Sequence, residues 1–196
     1  MGVIPLKFTT KNLVIMAFFI AISVALGYFV HFPIFPAAAY LQYDPADIPI
    51  LIGAFAFGPI AGIILTVIAS GIQAFLVVGD GFYGFLMHAI ATSTLVVVAS
   101  LIYRVRHTLV GGIIGLVSGT VAMGVIMVIA NHFVTPLFLG VPTSAVDPIL
   151  LPIILPFNLI KAGINSAATF IVYKSISRYI VHGEKFGEKK DAPRKA

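Results

Sequence analysis

Long uncharged stretches alternate with short polar connections along this chain, and the positions of the breaks predict its elements. Leu13 to Val30 carries no charge and follows Lys7 and Lys11, which reads as a first transmembrane helix. Ala37, Ala38 and Ala39 offer a small-residue cleavage site of the signal-peptide kind. The run is longer than the usual apolar core of a signal peptide, however, and five more spans follow, so a retained helix is expected. His31 to Asp47 is a polar, proline-bearing connection. Ile48 to Val78 is again uncharged, broken by Gly58-Pro59. As one helix it would measure about 46 Å against a hydrocarbon core of about 30 Å, and two full spans do not fit. The run therefore divides into a short helix, Ile48 to Phe57, a tight Gly-Pro turn, and a fuller helix, Ile60 to Val78, because proline cannot continue the hydrogen-bond ladder of the first. The glycine-rich turn GDGFYG precedes a fourth span, Phe85 to Tyr103, closed by Arg104, Arg106 and His107. A fifth runs from Thr108 to Pro136, a loop from Leu137 to Leu151, and a sixth span from Pro152 to Tyr179.

Composition removes the soluble alternative. Hydrophobic residues make up 60% of the chain, charged residues 10%, and mean hydropathy is +1.09, more apolar side chain than a soluble domain of this size can bury. The fold class expected is an all-α integral membrane protein, a bundle of six transmembrane helices. Residues 1–181 form one membrane domain and 182–196 a charged cytoplasmic tail expected to be disordered. The chain shows no internal repeat of the inverted-repeat transporter kind. Cysteine is absent, which excludes disulfides, thiolate catalysis and cysteine metal sites.

The net charge of +5 is a topology signal more than a nucleic-acid signal, because nearly all the cations flank apolar spans. If all six segments cross, every Lys and Arg except Lys161 falls on one side, and the opposite loops hold Asp44, Asp47, Asp80 and Asp147. Both termini are then cytoplasmic.

Lys161 is the exception that points to chemistry. Asn158 lies three residues before it and Asn165 four after, so on a helix the three share a face. A lysine in an apolar span is costly unless it meets a partner, a cavity or a ligand. The plainer reading is a lysine that snorkels, or that donates to carbonyls of a neighbouring helix. The two carboxamides weigh against it, and Asn131 and His132 add polar atoms at similar depth, suggesting a polar cluster that opens outward. Ala17, Ala21 and Ala25 form a small-residue stripe suited to packing within the bundle or to docking on a separate membrane subunit. Asp47 is expected to cap the short second helix. A proton- or metal-handling pair of Asp44 and Asp47 is disfavoured, since no His or third carboxylate is adjacent in sequence. His88 and Gln73 read as hydrogen-bonded core residues. No H-E-x-x-H, G-x-S-x-G or Walker motif occurs, so no catalytic or metal residue is assigned. Phe32, Phe35, Tyr40, Tyr43, Phe82, Tyr83, Phe133 and Phe138 lie in or beside the outer connections, where they suit an interfacial belt or a pocket for a flat aromatic ligand.

The segments YLQYDPADIPILIGAFAFGPIAG, GDGFYG, ANHFVTP and above all LPFNLIKAGINS resemble the riboflavin-specific substrate-binding (S) subunits of energy-coupling factor (ECF) transporters, from about residue 11 to 181. The resemblance implies a bacterial cell-membrane protein, not an enzyme, that captures riboflavin from outside and leaves open whether FMN is accepted. It implies a transmembrane T subunit and two ATP-hydrolysing subunits as partners, no resident cofactor and no nucleic acid. Carried over on matching motifs, Asn131, Asn158 and Lys161 would bind polar groups of the substrate, joined by Asn165 on the same helical face. Tyr40, Leu41 and Gly81 would line or close the site, and Ala17, Ala21 and Ala25 would face the T subunit. The glycine turn departs from the family in carrying Phe82-Tyr83. Two alternatives stand beside this: a self-sufficient secondary transporter with Lys161 as coupling group, and an S subunit for another vitamin.

Overall fold

Helix α1, Thr10–Phe29, starts where Thr9 caps it by accepting from the Asn12 amide at 3.3 Å. This computed structural model describes residues 9–77, 79 and 81–182, and beyond Tyr173 the backbone alone. Lys7, Asp80 and the charged tail after His182 lie outside the described residues. After α1 the chain makes a small antiparallel ribbon, β1 (Phe32–Pro33) with β2 (Gln42–Tyr43), Phe32 opposite Tyr43. Helix α2, Asp47–Phe57, is apolar nearly all round and buried along almost its whole length, as a helix without a polar face must be. Its 11 residues extend only about 16 Å. Gly58 then adopts φ 97°, a conformation that favours glycine, and Pro59 starts α3 (Pro59–Ile72), where its missing N–H costs nothing.

Helix α3 continues as a wide i→i+5 turn, Gln73–Val77, and α4 spans Gly81–Val105. The GDGFYG segment is therefore largely the first turn of α4, which begins at Gly81 and not near Phe85. Helix α5, Leu109–Leu139, runs antiparallel to α4 and packs closely on it. A Cβ placed on Gly115 would lie 2.6 Å from the Ala99 carbonyl oxygen, and one on Gly119 would lie 2.7 Å from that of Leu95. Only glycine permits this backbone approach.

The last rod corrects the sequence reading most. The expected loop from Leu137 to Leu151 shrinks to Gly140–Pro142, and α6 (Thr143–Ile149) leads through a wide turn, Leu150–Ile154, directly into α7 (Leu155–His182). Pro148, Pro152 and Pro156 each remove a donor to the carbonyl four residues back. The chain widens its turn in response, and Leu155 N–H reaches Leu150 O. Prolines that usually mark a helix start lie here inside one.

Helices α1, α4 and α5, α3 together with its wide turn, and the α6–α7 rod are long and apolar enough to cross a membrane, while α2 falls short. The core gathers around α2, with Ile50, Leu51, Leu65, Leu95, Val96 and Met123 buried together. Lys11, Arg104 and Arg106 lie at the end of the bundle where α1 begins; the opposite end, called outer below, holds the site.

Candidate functional site

In the outer half a cavity of about 220 Å³ opens between α1, the segment preceding α2, the wide turn after α3, and α4, α5 and α7. Of the residues singled out from sequence, Tyr40, Leu41, Asn131, Asn158 and Lys161 line it. The face Asn158, Lys161, Asn165 forms as expected and is buried throughout, but only its outer two members reach the cavity. Asn165 lies one turn deeper. Its Nδ2 donates to the Asp44 carbonyl at 3.0 Å and to Asp47 Oδ2 at 2.9 Å, and its Oδ1 accepts from the Tyr43 hydroxyl at 3.1 Å. It braces the wall from behind. Gly81 is not among the lining residues either; Tyr83 and Gly84 of the same turn are.

Lys161 is neither snorkelling nor alone. Its Nζ donates to Asp44 Oδ2 at 2.7 Å across a sequence separation of 117. Asp44 Oδ1 accepts from the Ala46 amide at 3.0 Å. Burial alone would push the Asp44 carboxyl up, but the Lys161 ammonium and His88 outweigh it and hold the group below the ordinary carboxylate value of 3.8. Tyr43 is pushed up by burial and by Asp44, which keeps its hydroxyl a neutral donor.

Asp47 does not cap α2. It sits in the first turn, fully buried, and accepts from Thr92 Oγ1 at 2.6 Å and from Asn165. His88, expected in the core, lies at the cavity floor with Nδ1 against Ser70 Oγ at 2.8 Å and Nε2 at 4.0 and 3.9 Å from Asp44 and Asp47. The carboxylate pair thus gains from α4 the histidine that its own segment lacks. Gln73, the first residue of the wide turn, also lines the cavity. His132 stands apart from the cluster and meets Asp147 of α6 at 2.6 Å near the surface.

The polar groups are held firmly. Asn131 Nδ2 donates to the Met127 carbonyl at 2.7 Å while its Oδ1 accepts from Thr135 at 2.7 Å, and Asn158 Nδ2 donates to the Ile154 carbonyl at 2.8 Å. These bonds fix each amide while leaving hydrogen-bonding capacity, as do the two ammonium protons that Lys161 does not spend on Asp44. Above them, Phe138 faces Tyr83 at 6.2 Å and Tyr40 at 6.5 Å, so aromatic side chains from the first connection, α4 and α5 wall the mouth. Ala17, Ala21 and Ala25 are exposed, while Met16, Phe19, Ser23 and Gly27 turn inward. The stripe is not used for packing within the bundle.

Sequence reasoning missed Asp44, His88 and Gln73 as wall residues. A buried lysine that needs a counter-ion was the available signal for Asp44. No local pattern marks His88.

Comparison with known proteins places this geometry. The family model for the substrate-specific component of ECF transporters matches residues 11–173. A Staphylococcus aureus (strain TCH60) protein named riboflavin transporter RibU is 28% identical over 176 residues, 87% of this chain and 92% of its own. The riboflavin transporter FmnP of Bacillus subtilis (strain 168) is 27% identical over 184 residues, 87% of this chain and 94% of its own. A solved structure described as the S component of a bacterial ECF transporter superposes with a TM-score of 0.77 at 29% identity, covering 87% of this chain and 97% of that one. The chain therefore belongs to the substrate-specific components of ECF transporters, multi-pass proteins of the bacterial cell membrane that bind a substrate and are not enzymes.

Proposed function

We propose that this chain captures riboflavin at the outer face of the membrane and hands it to an energising module made of a transmembrane T subunit and two ATP-hydrolysing subunits. The observation that carries the reading is the cavity itself. A lysine and two asparagines from α5 and α7 line it, with aromatic side chains at the mouth, and the relatives matched over most of the chain are named riboflavin transporters. Riboflavin joins a flat, largely apolar ring system to a hydroxyl-rich chain. Aromatic and methionine side chains such as Tyr83, Phe138, Met123 and Met127 suit the rings. The free protons of Lys161 and the carboxamides of Asn131 and Asn158 suit the polar groups, and Tyr40 and Leu41 bound the ligand from the first connection. Closure of that connection would exclude water and strengthen those bonds. The exposed alanines of α1 give the T subunit a surface that a helix can approach closely.

Riboflavin fluorescence should be quenched on titration with the purified protein, and protein prepared from flavin-containing cells should be yellow. A colourless protein that leaves the fluorescence unchanged refutes the assignment, and a competition panel of other vitamins then tests a different substrate. FMN acceptance is decided by titrating both flavins. Lys161 is already neutralised by Asp44 and presents no unpaired positive charge to a phosphate. The same pairing argues against Lys161 as a proton-coupling group, and gradient-driven uptake by this chain alone in vesicles would reinstate that alternative.

A further inference from the structure

Ser23 is fully buried in α1 and is held twice. Its Oγ donates to the Ala46 carbonyl at 2.8 Å, and its own carbonyl accepts from Gln73 Nε2 at 3.1 Å. Both partners belong to the surroundings of the cavity. Gln73 lines it, and Ala46 donates its N–H to Asp44 Oδ1, the carboxylate that meets Lys161. Pro45 between them has no N–H to offer. Ala46 ties this turn to α1 through its C=O on Ser23 Oγ and to the Asp44 carboxylate through its N–H, while Asn165 holds the Asp44 carbonyl from α7. Gly27, one turn further along α1, is shaped by the same clasp, since a Cβ there would lie 2.7 Å from Gln73 Nε2.

We propose that Ser23 is a positioning residue of the ligand site, setting the 44–46 turn against α1 so that Asp44 meets Lys161, and passing occupation of the cavity to α1. The proposal rests on the flavin-capturing reading given above. Ser23 is not among the residues that line the cavity, and it acts through Asp44. When a ligand draws on the Lys161 ammonium, the Asp44 carboxylate readjusts, the Ala46 peptide moves with it, and its hydrogen bond carries the shift to α1. Gln73, on the cavity wall, reaches the same residue of α1 from a second direction.

The test is a double-mutant cycle read by riboflavin titration, with the thermal midpoint of each ligand-free protein measured alongside. Ser23→Ala leaves the buried Ala46 carbonyl without its donor and should weaken riboflavin binding about tenfold. In an Asp44→Asn background, where the ion pair is already lost, the same change should have little further effect. Unchanged affinity in Ser23→Ala, or losses that simply add in the double variant, overturns the proposal. Hydrogen exchange supplies a readout that a merely structural role would not move. Riboflavin should alter amide exchange in the last turns of α1 in the wild type and not in Ser23→Ala; no ligand response of α1 in the wild type overturns the transmission. If Ser23→Ala does not fold, Ser23→Cys, similar in size with a weak donor, takes the same measurements. A wild type that binds another vitamin refutes the flavin reading alone, and the cycle is run with that vitamin. A wild type that binds none of the panel overturns both.

Discussion

Two side-chain contacts to carboxylates in the outer half are nearly equal in length and differ in almost everything else. Lys161 meets Asp44 at 2.7 Å with side-chain exposures of 8% and 14%, and His132 meets Asp147 at 2.6 Å with 38% and 48%. The first closes a sequence separation of 117 and ties the turn before α2 to α7; the second joins α5 to α6 across 15 residues. Distance alone would rank them together. Burial separates them, because a charge without its partner is tolerable in water and very costly inside the bundle. The comparison shows where this protein has committed its structure: to the wall of the cavity, and not to the surface contact between α5 and α6.

The largest expected effect comes from breaking the buried pair on one side. Lys161→Met leaves Asp44 as a stranded buried carboxylate and should cost about 3–5 kcal/mol of stability, with loss of riboflavin binding. The Lys161→Met/Asp44→Asn double variant should regain part of that stability without regaining affinity. Thermal unfolding and flavin titration of the single and double variants check both, and equal stability of the two would show that the pair is not coupled.

Gly115→Leu sharpens the comparison from the inner half of the molecule, where a Cβ would already lie 2.6 Å from the Ala99 carbonyl oxygen. It forces a side chain into the α4–α5 approach and should cost about 1–3 kcal/mol, while the riboflavin affinity of the protein that still folds stays near the wild-type value. An affinity loss as large as that of Lys161→Met would mean the two halves are not separable.

The pH response is smaller and has a definite sign. The Asp44 carboxyl is lowered from 3.8 in the folded chain, so its contribution is fully present above about pH 4 and is lost as pH falls through the depressed folded value. The stabilising share of Asp44 seen in the difference in thermal midpoint between wild type and Asp44→Asn should therefore shrink as the pH is taken below about 4. Smallest of all, His132→Gln should change stability by no more than about 1 kcal/mol and leave the riboflavin dissociation constant within about twofold, a shift of roughly 0.4 kcal/mol. A larger loss would mean that α6 contributes to the closure of the cavity.

These contrasts also explain what the sequence could reveal. The spans, the short second helix, and the shared face of Asn158, Lys161 and Asn165 follow from runs, breaks and spacing, which are local quantities. The pairing of Lys161 with Asp44, and the arrival of His88 beside two carboxylates, depend on how α4 and α7 close around α2, which no window along the chain contains. Asp47 was misread for a related reason. Its position just before the apolar run of the short helix matches a capping residue, yet packing of α2 at the centre buries it, and Thr92 and Asn165 take the place of backbone amides as its partners. Pro148 and Pro152 misled in the same way, since a wide turn absorbs what normally ends a helix.

Helix α2 is too short to cross the membrane and fills only the inner part of its path, and the cavity opens at its N-terminal end. The cavity is thus the space that a full-length second helix would have filled, a room made by omission. On the proposed reading the ligand takes the place of missing protein in the outer half of the bundle, and a substrate must both complete the interrupted helix packing and satisfy Lys161, Asn131 and Asn158. Substrate range in such a scaffold can change by trimming or bulking the residues around that gap, while the glycine-packed inner half stays as it is.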